Sequence, residues 1–245
     1  MAVVSDIHAN LTALEAVTVD LRTTSPDLVI HGGDLVGSGA HPAEVVDRIR
    51  ELGWAGVYGN SDEMVWNPAR VSEIFAASAL QHWRDIVLRT ASWTRAALGD
   101  KRIEWLRALP PRMTEQDISV VHARPDDCWR SPDAEASDEE LLTTYATLKS
   151  RVVIYGHIHR PYVRRLPSIV VVNSGSVSLS YDGDPRAAYA VVDGEEITIR
   201  RVEYNVEREA RALVASDCPD AQWIAEVLRT GTPLPPPRLL RDLRG

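Results

Sequence analysis

Only two cysteines, Cys128 and Cys218, occur in the 245 residues, and they stand far apart. That is too few for a disulfide framework, and no Cys-x-x-Cys exists to suggest a zinc knuckle. No apolar run approaches the roughly 20 residues of a membrane span. Nothing resembles a signal peptide, since the first apolar run is already stopped by Asp6. Positive charge is scarce too. Lys and Arg number 27 against 35 Asp and Glu, a formal charge of -8. That argues against a nucleic-acid partner drawn by a global pull on phosphates, while leaving room for a local cationic site that binds anions. The expected setting is a reducing cytoplasm, with no membrane partner. What is present, 44% hydrophobic and 25% charged residues, belongs to a globular protein able to bury a real core.

Strands and helices alternate in the first third. Residues 2–5 read as a short buried strand, and Asn10 then caps a helix with Leu11, Leu14, Val17 and Leu21 on one face. Residues 28–30 form a second strand, Pro42 suits a helix N1 position, and residues 56–58 form a third strand. This pattern predicts a parallel α/β core with its site at the strand ends. Residues 68–109 read as mostly helical, with Trp83, Trp93 and Trp105 expected in packing. Further strands are expected at 118–121 and 152–155, separated by a Pro- and Asp-rich loop and a helix over 141–148. The texture then changes. Strands at 163–165, 169–172, 187–192 and 197–202 follow closely, with Asp193-Gly194 as a hairpin signal. Consecutive strands without helices imply antiparallel pairing and a second or mixed sheet. A helical pair closes the fold (206–229), and residues 231–245 read as a Pro-rich tail. With no internal repeat and no mid-chain linker, residues 1–230 are expected to form one domain.

Five strand ends carry ligand-type side chains: Asp6 and His8, Asp34, Asn60, His122, and His157 with His159. In a strand, residues two apart face the same side, so each x-spaced pair is expected to converge. Each group alone has an ordinary reading as a turn residue or a satisfied histidine. Four of the seven histidines and two early aspartates at strand ends together point to first-row divalent metals. His31, His41 and His82 do not share this logic and are read as structural or exposed.

These residues carry a resemblance. The blocks Asp6-Ile7-His8, Gly33-Asp34, Gly59-Asn60-Ser61-Asp62, Val121-His122 and Gly156-His157-Ile158-His159 are similar, in order, to those of the calcineurin-like metallophosphoesterases. Small bacterial phosphodiesterase-like members also resemble the chain at 33–37, 173–177 and 182–186. The resemblance spans about residues 2–204 and implies a four-layer α-β-β-α sandwich of two mixed sheets flanked by helices. It also implies two adjacent divalent transition metals (Mn, Fe, Zn, Ni or Co). Asp6, His8 and His159 would hold the first, Asn60, His122 and His157 the second, and Asp34 would bridge them. The implied activity is hydrolysis of a phosphodiester, phosphomonoester or nucleotide phosphoanhydride by in-line attack of a metal-bridging hydroxide. Two divalent ions less two carboxylates and a hydroxide leave roughly one positive charge, which suits a small phosphorylated or nucleotide substrate.

Two departures bear on mechanism. Many members carry His after Gly-Asn, where this chain has Ser61. A serine cannot protonate a leaving oxygen near neutrality, which predicts a preference for activated esters, pyrophosphate-type bonds or diesters with stable leaving groups. Asp62, the usual partner of that His, is the catalytic candidate, and Asn60 doubles as a substrate-binding candidate. Ala123-Arg124 stands where relatives commonly have Gly-Ser. Arg124 is read either as a bidentate phosphate donor or as an ion-pair partner of Asp126 or Asp127. The residues around Trp66–Trp83 are the expected specificity surface. The competing reading is a catalytically weak or inactive metal-binding scaffold that mediates protein assembly. An oligomer is left open.

Overall fold

The computed structural model describes residues 1–76 and 81–235, except for the side chain of His82. Expectations for residues 77–80, for the His82 side chain and for 236–245 of the Pro-rich tail lie outside the described residues. Ten strands run in chain order as β1 (Ala2–Val4), β2 (Val29–His31), β3 (Ala55–Gly56), β4 (Arg112–Glu115), β5 (Ile118–Val121), β6 (Val152–Tyr155), β7 (Tyr162–Arg165), β8 (Val170–Asn173), β9 (Ala187–Asp193) and β10 (Glu196–Val202). The helices are α1 (Leu11–Thr24), α2 (Pro42–Leu52), α3 (Asn60–Glu63), α4 (Pro68–Ile74), α5 (Gln81–Leu98), α6 (Asp100–Arg107), α7 (Asp138–Tyr145), α8 (Val206–Ala215) and α9 (Ala221–Thr230).

The strands form two mixed five-stranded sheets, ordered β10-β9-β1-β2-β3 and β4-β5-β6-β8-β7. In the first sheet β1, β2 and β3 are parallel, and the β9–β10 hairpin lies antiparallel along β1. In the second, β5, β6 and β8 are parallel, with β4 and β7 as antiparallel edges. Helices flank the sheets, which gives the expected α-β-β-α sandwich. Strand alternation builds the layers. Val3 and Ile30 of one sheet join Val152, Ile154 and Val172 of the other in one core, while Ala2 and Val4 turn outward to Leu14, Val17 and Val45.

Local chemistry explains the elements beside the site. The Asn10 side chain accepts from Ala13 N–H at 2.9 Å and starts α1, whose Leu14, Val17 and Leu21 are buried. Pro42 opens α2, which buries Val45, Val46 and Ile49. Strand β4 had no sequence signal. Its Arg-Met-Thr-Glu run is mostly exposed and lacks apolar alternation, and it is a strand because it pairs with β5. The tryptophans divide. Trp105 packs against the core and Trp93 against α8 and α9 as expected, whereas Trp83 lines a cleft. His31, also read as structural, is fully buried in β2. No helix among the described residues is long and apolar enough to cross a membrane.

Candidate metal centre

The parallel strands deliver the candidate ligands to one end of the sandwich. Asp6 and His8 follow β1, Asp34 follows β2, Asn60 follows β3, His122 follows β5, and His157 and His159 follow β6. All seven converge, but by a different route from the strand pleat expected of the x-spaced pairs. The strands stop before the ligands, and five ligands take left-handed backbone conformations: Asp6 (φ 56°), His8 (46°), Asp34 (53°), His157 (65°) and His159 (56°). Such conformations cost non-glycine residues about 1–3 kcal/mol each and persist where surroundings over-determine them. Here backbone bonds do so. Asp6 N–H donates to Gly33 O at 3.0 Å, and His8 N–H donates to Asp34 O at 2.9 Å. The Ser176 hydroxyl donates to Asp6 O at 2.8 Å, and the Asn173 amide donates to Gly156 O at 2.5 Å.

Two clusters result. In the first, His159 Nε2 lies 3.1 Å from both Asp6 Oδ1 and His8 Nε2. In the second, Asn60 Oδ1 lies 2.8 Å from His157 Nδ1 and 3.0 Å from His122 Nε2. Asp34 stands between them, with Oδ2 3.6 Å from His8 Nε2 and Oδ1 3.4 Å from His122 Nε2. Asp6 also approaches the second cluster, since Asp6, Asp34 and His122 offer ligand atoms within 4.8 Å of one another.

The donor inventory tests whether cations fit. His159 Nδ1 donates to Leu179 O at 2.5 Å, and His122 Nδ1 donates to Gly32 O at 2.9 Å. In the neutral rings, with those protons placed, both Nε2 atoms present lone pairs. His159 therefore aims a lone pair at the Asp6 carboxylate, and His122 aims one at the Asn60 carbonyl. Acceptors facing acceptors in a buried site are reconciled by a cation, and N/O ligands without thiolate suit first-row divalent metals. Asp6 is fully buried and Asp34 is 2% exposed. Burial works to raise the Asp6 carboxyl, but His159, His122 and His8 outweigh it and hold it well below the usual range. Burial lowers His157 to about 4, which keeps it a neutral ligand.

Two glycines make the close approach possible. A Cβ on Gly59 would collide with Asp34 Oδ1, and one on Gly156 with Asp6 Oδ2. Ser61 is turned toward Asp34: its N–H donates to Asp34 Oδ1 at 2.8 Å and its hydroxyl to Oδ2 at 2.9 Å.

Asp62, the catalytic candidate, is placed behind the site and not in it. It is fully buried, with Oδ1 accepting from Leu35 N–H (2.9 Å) and Val36 N–H (3.2 Å) and Oδ2 from Gly59 N–H (2.9 Å). Burial and nearby Asp34 push its carboxyl up to about 7 against the pull of its amide donors. Both oxygens are committed to the loops that carry Asp34 and Asn60. Arg124 forms no ion pair with Asp126 or Asp127 among the described residues; Asp127 pairs with Arg130 and Arg70. Its Nε is buried without a hydrogen-bond partner, and it lines a cleft shared with His157, Arg130 and Arg160.

Several supporting residues escaped residue-level reading. Tyr181 stacks on His159, with ring centroids 4.6 Å apart and planes inclined by 28°. Ser176 and Asn173 brace the ligand loops. Their block at 173–177 was visible as a motif, but Tyr181 stood between blocks with no signal.

Comparison with known proteins agrees with this geometry. Residues 1–196 match the model of the calcineurin-like phosphoesterase superfamily domain. The chain is 28% identical to uncharacterized protein MJ0912 of Methanocaldococcus jannaschii, over 94% of this chain and 98% of that protein. A metallophosphoesterase from Sphaerobacter thermophilus is similar in structure, with a TM-score of 0.77 and 26% identity, covering 94% of this chain and 98% of that one. Hypothetical protein PH1004 from Pyrococcus horikoshii shares the fold, with a TM-score of 0.81 at 18% identity, over 96% and 99% of the two chains. With two convergent ligand clusters on a sandwich of this topology, the chain belongs to the calcineurin-like phosphoesterase superfamily.

Proposed function

We propose that this protein is a binuclear metal-dependent phosphoesterase acting on a small phosphorylated substrate. The observation that carries the reading is Asp34, whose two oxygens face separate clusters at 3.6 Å and 3.4 Å. Asp6, His8 and His159 would hold one ion and Asn60, His122 and His157 the other, with Asp34 shared. When bound, two divalent ions supply Lewis-acid charge to a phosphate and acidify water toward a pKa of about 7.

The chain's own residues supply position and selectivity. Ser61 and Asp62 act as positioning residues: one holds the Asp34 carboxylate, the other ties the Asp34 loop to the Gly59-Asn60 turn. Neither offers a proton to a leaving group, so substrates whose leaving groups are stable as anions are favoured. Arg124, which lines a cleft together with His157 and whose Nε has no hydrogen-bond partner among the described residues, is the proposed donor to a non-bridging phosphate oxygen.

Metal analysis and turnover test this together. Protein loaded with Mn²⁺ should bind two equivalents and hydrolyse bis(p-nitrophenyl) phosphate, faster than an alkyl monophosphate. Two equivalents of metal with no hydrolysis of any ester or anhydride would instead favour a non-catalytic scaffold. An unchanged KM in Arg124→Ala would remove Arg124 from the site.

A further inference from the structure

Beside the metal ligands the site widens into a cleft of about 360 Å³. Its inner end is His8, Asp34, Asn60, His157 and His159, so it is continuous with the metal centre. Its remaining wall is of a different character. Away from the ligand end it is mainly apolar and aromatic, and includes Phe75 after α4, Trp83 and Val87 of α5, Trp129 after β5, and Trp223 and Val227 of α9.

Two indoles present ring surface and little polarity. Trp129 Nε1 donates to Glu63 Oε2 at 2.6 Å, and Trp223 Nε1 donates to Pro235 O at 3.0 Å. Their hydrogen-bonding capacity is spent on the protein, which leaves aromatic faces for a ligand. Trp83 and Trp223 join α5 to α9 across the cleft wall, with ring centroids 5.9 Å apart and planes inclined by 57°. Among the described residues, no lysine or arginine lines this cleft. Extra phosphate groups placed there would lose water without gaining a cation. Helix α9 lies beyond the residues matched by the family model, so this wall is built outside the matched region.

We propose that this cleft receives the organic group of the phosphoester, and that the group is uncharged and predominantly apolar, aryl or alkyl, and not a polyphosphate nucleotide. The proposal rests on the phosphoesterase reading above and assigns its substrate class.

The test pairs turnover with binding, using Mn²⁺-loaded full-length protein. Phenyl 4-nitrophenyl phosphate and methyl 4-nitrophenyl phosphate share a leaving group and differ in the group the cleft would bury. The phenyl ester should show kcat/KM higher by about tenfold or more. By calorimetry, phenylphosphonate should bind about tenfold or more tightly than methylphosphonate, and ADP should bind more weakly than phenylphosphonate. Trp223→Ala and Trp83→Ala should each shrink both phenyl-to-methyl ratios, whereas Val214→Ser, on the exposed surface of α8, should keep them. Equal ratios in the wild type overturn the proposal without need of any variant. So does tighter binding of ADP, or a ratio that survives in both tryptophan variants. Phenyl-selective phosphonate binding with no ester turnover would support the cleft assignment and sink the phosphoesterase reading instead.

Discussion

Ser61 grips Asp34 at both oxygens, through its backbone N–H at 2.8 Å and its hydroxyl at 2.9 Å. The residue that departs from the family pattern thus acts on the carboxylate that stands between the two clusters. Removing the hydroxyl in Ser61→Ala should weaken metal binding by about 10-fold, in the range seen when groups that orient ligands are lost. Chelator competition measures this, and an unchanged affinity would show that the hydroxyl contributes nothing to the bridge.

Asp62→Asn replaces an acceptor of three backbone N–H groups with an amide that must turn its NH2 toward at least one of them. A buried donor left unsatisfied costs about 1–3 kcal/mol, so urea unfolding should show a loss of about 2 kcal/mol. Metal affinity should fall as well, because the loops of Asp34 and Asn60 are no longer tied. Normal stability with a selective loss of kcat would return Asp62 to a direct catalytic role.

Gly156→Ala places a methyl against Asp6 Oδ2. The expected outcome is a folded protein with metal affinity reduced by about 10-fold or more, judged by circular dichroism and metal analysis after dialysis. Wild-type metal content in that variant would mean that the β6 loop can yield at no cost to Asp6.

His31 sets an acid limit on stability. Burial lowers its pKa from 6.5 to about 4, against a smaller opposing pull from the Val57 backbone. Between these values the unfolded chain takes up a proton that the folded chain refuses. Stability is therefore intact above about pH 6.5 and falls as pH drops toward 4, by about 3 kcal/mol over the window. His31→Phe keeps a planar ring and removes the titration. The slope of urea midpoint against pH between 6.5 and 4 should be shallower in the variant, and equal slopes would assign the acid sensitivity elsewhere.

Chelation should destabilise the fold. At metal concentrations about 100-fold above Kd, binding contributes roughly 3 kcal/mol per site. For a chain of this size each kcal/mol is worth about 2–4 °C in Tm, so removing both ions with EDTA should lower Tm by roughly 10–20 °C. No shift on chelation would mean that the facing acceptors are tolerated without cations.

The fold was legible where local pattern and global packing agree. Asn10, Pro42 and the β9–β10 hairpin each carried a signal tied to their own backbone chemistry. Strand β4 was invisible because its exposed edge position demands no apolar alternation. The ligands were legible as a set at strand ends. Their left-handed backbones were not, because a sequence does not show which φ a tertiary hydrogen-bond network will enforce at Asp6 or His157.

From the sequence came the candidate ligands at strand ends, their order and a second or mixed sheet, because residue chemistry and strand periodicity are local properties, while the four-layer sandwich came from the family resemblance. Tertiary structure alone decided four things. It turned Ser61 onto Asp34 and Asp62 onto backbone amides, and left Arg124 Nε without a hydrogen-bond partner among the described residues. It also brought Trp223 of α9 to Trp83 of α5, separated by most of the chain. Each depends on which distant atoms meet, and that follows from how the two sheets and their helices pack.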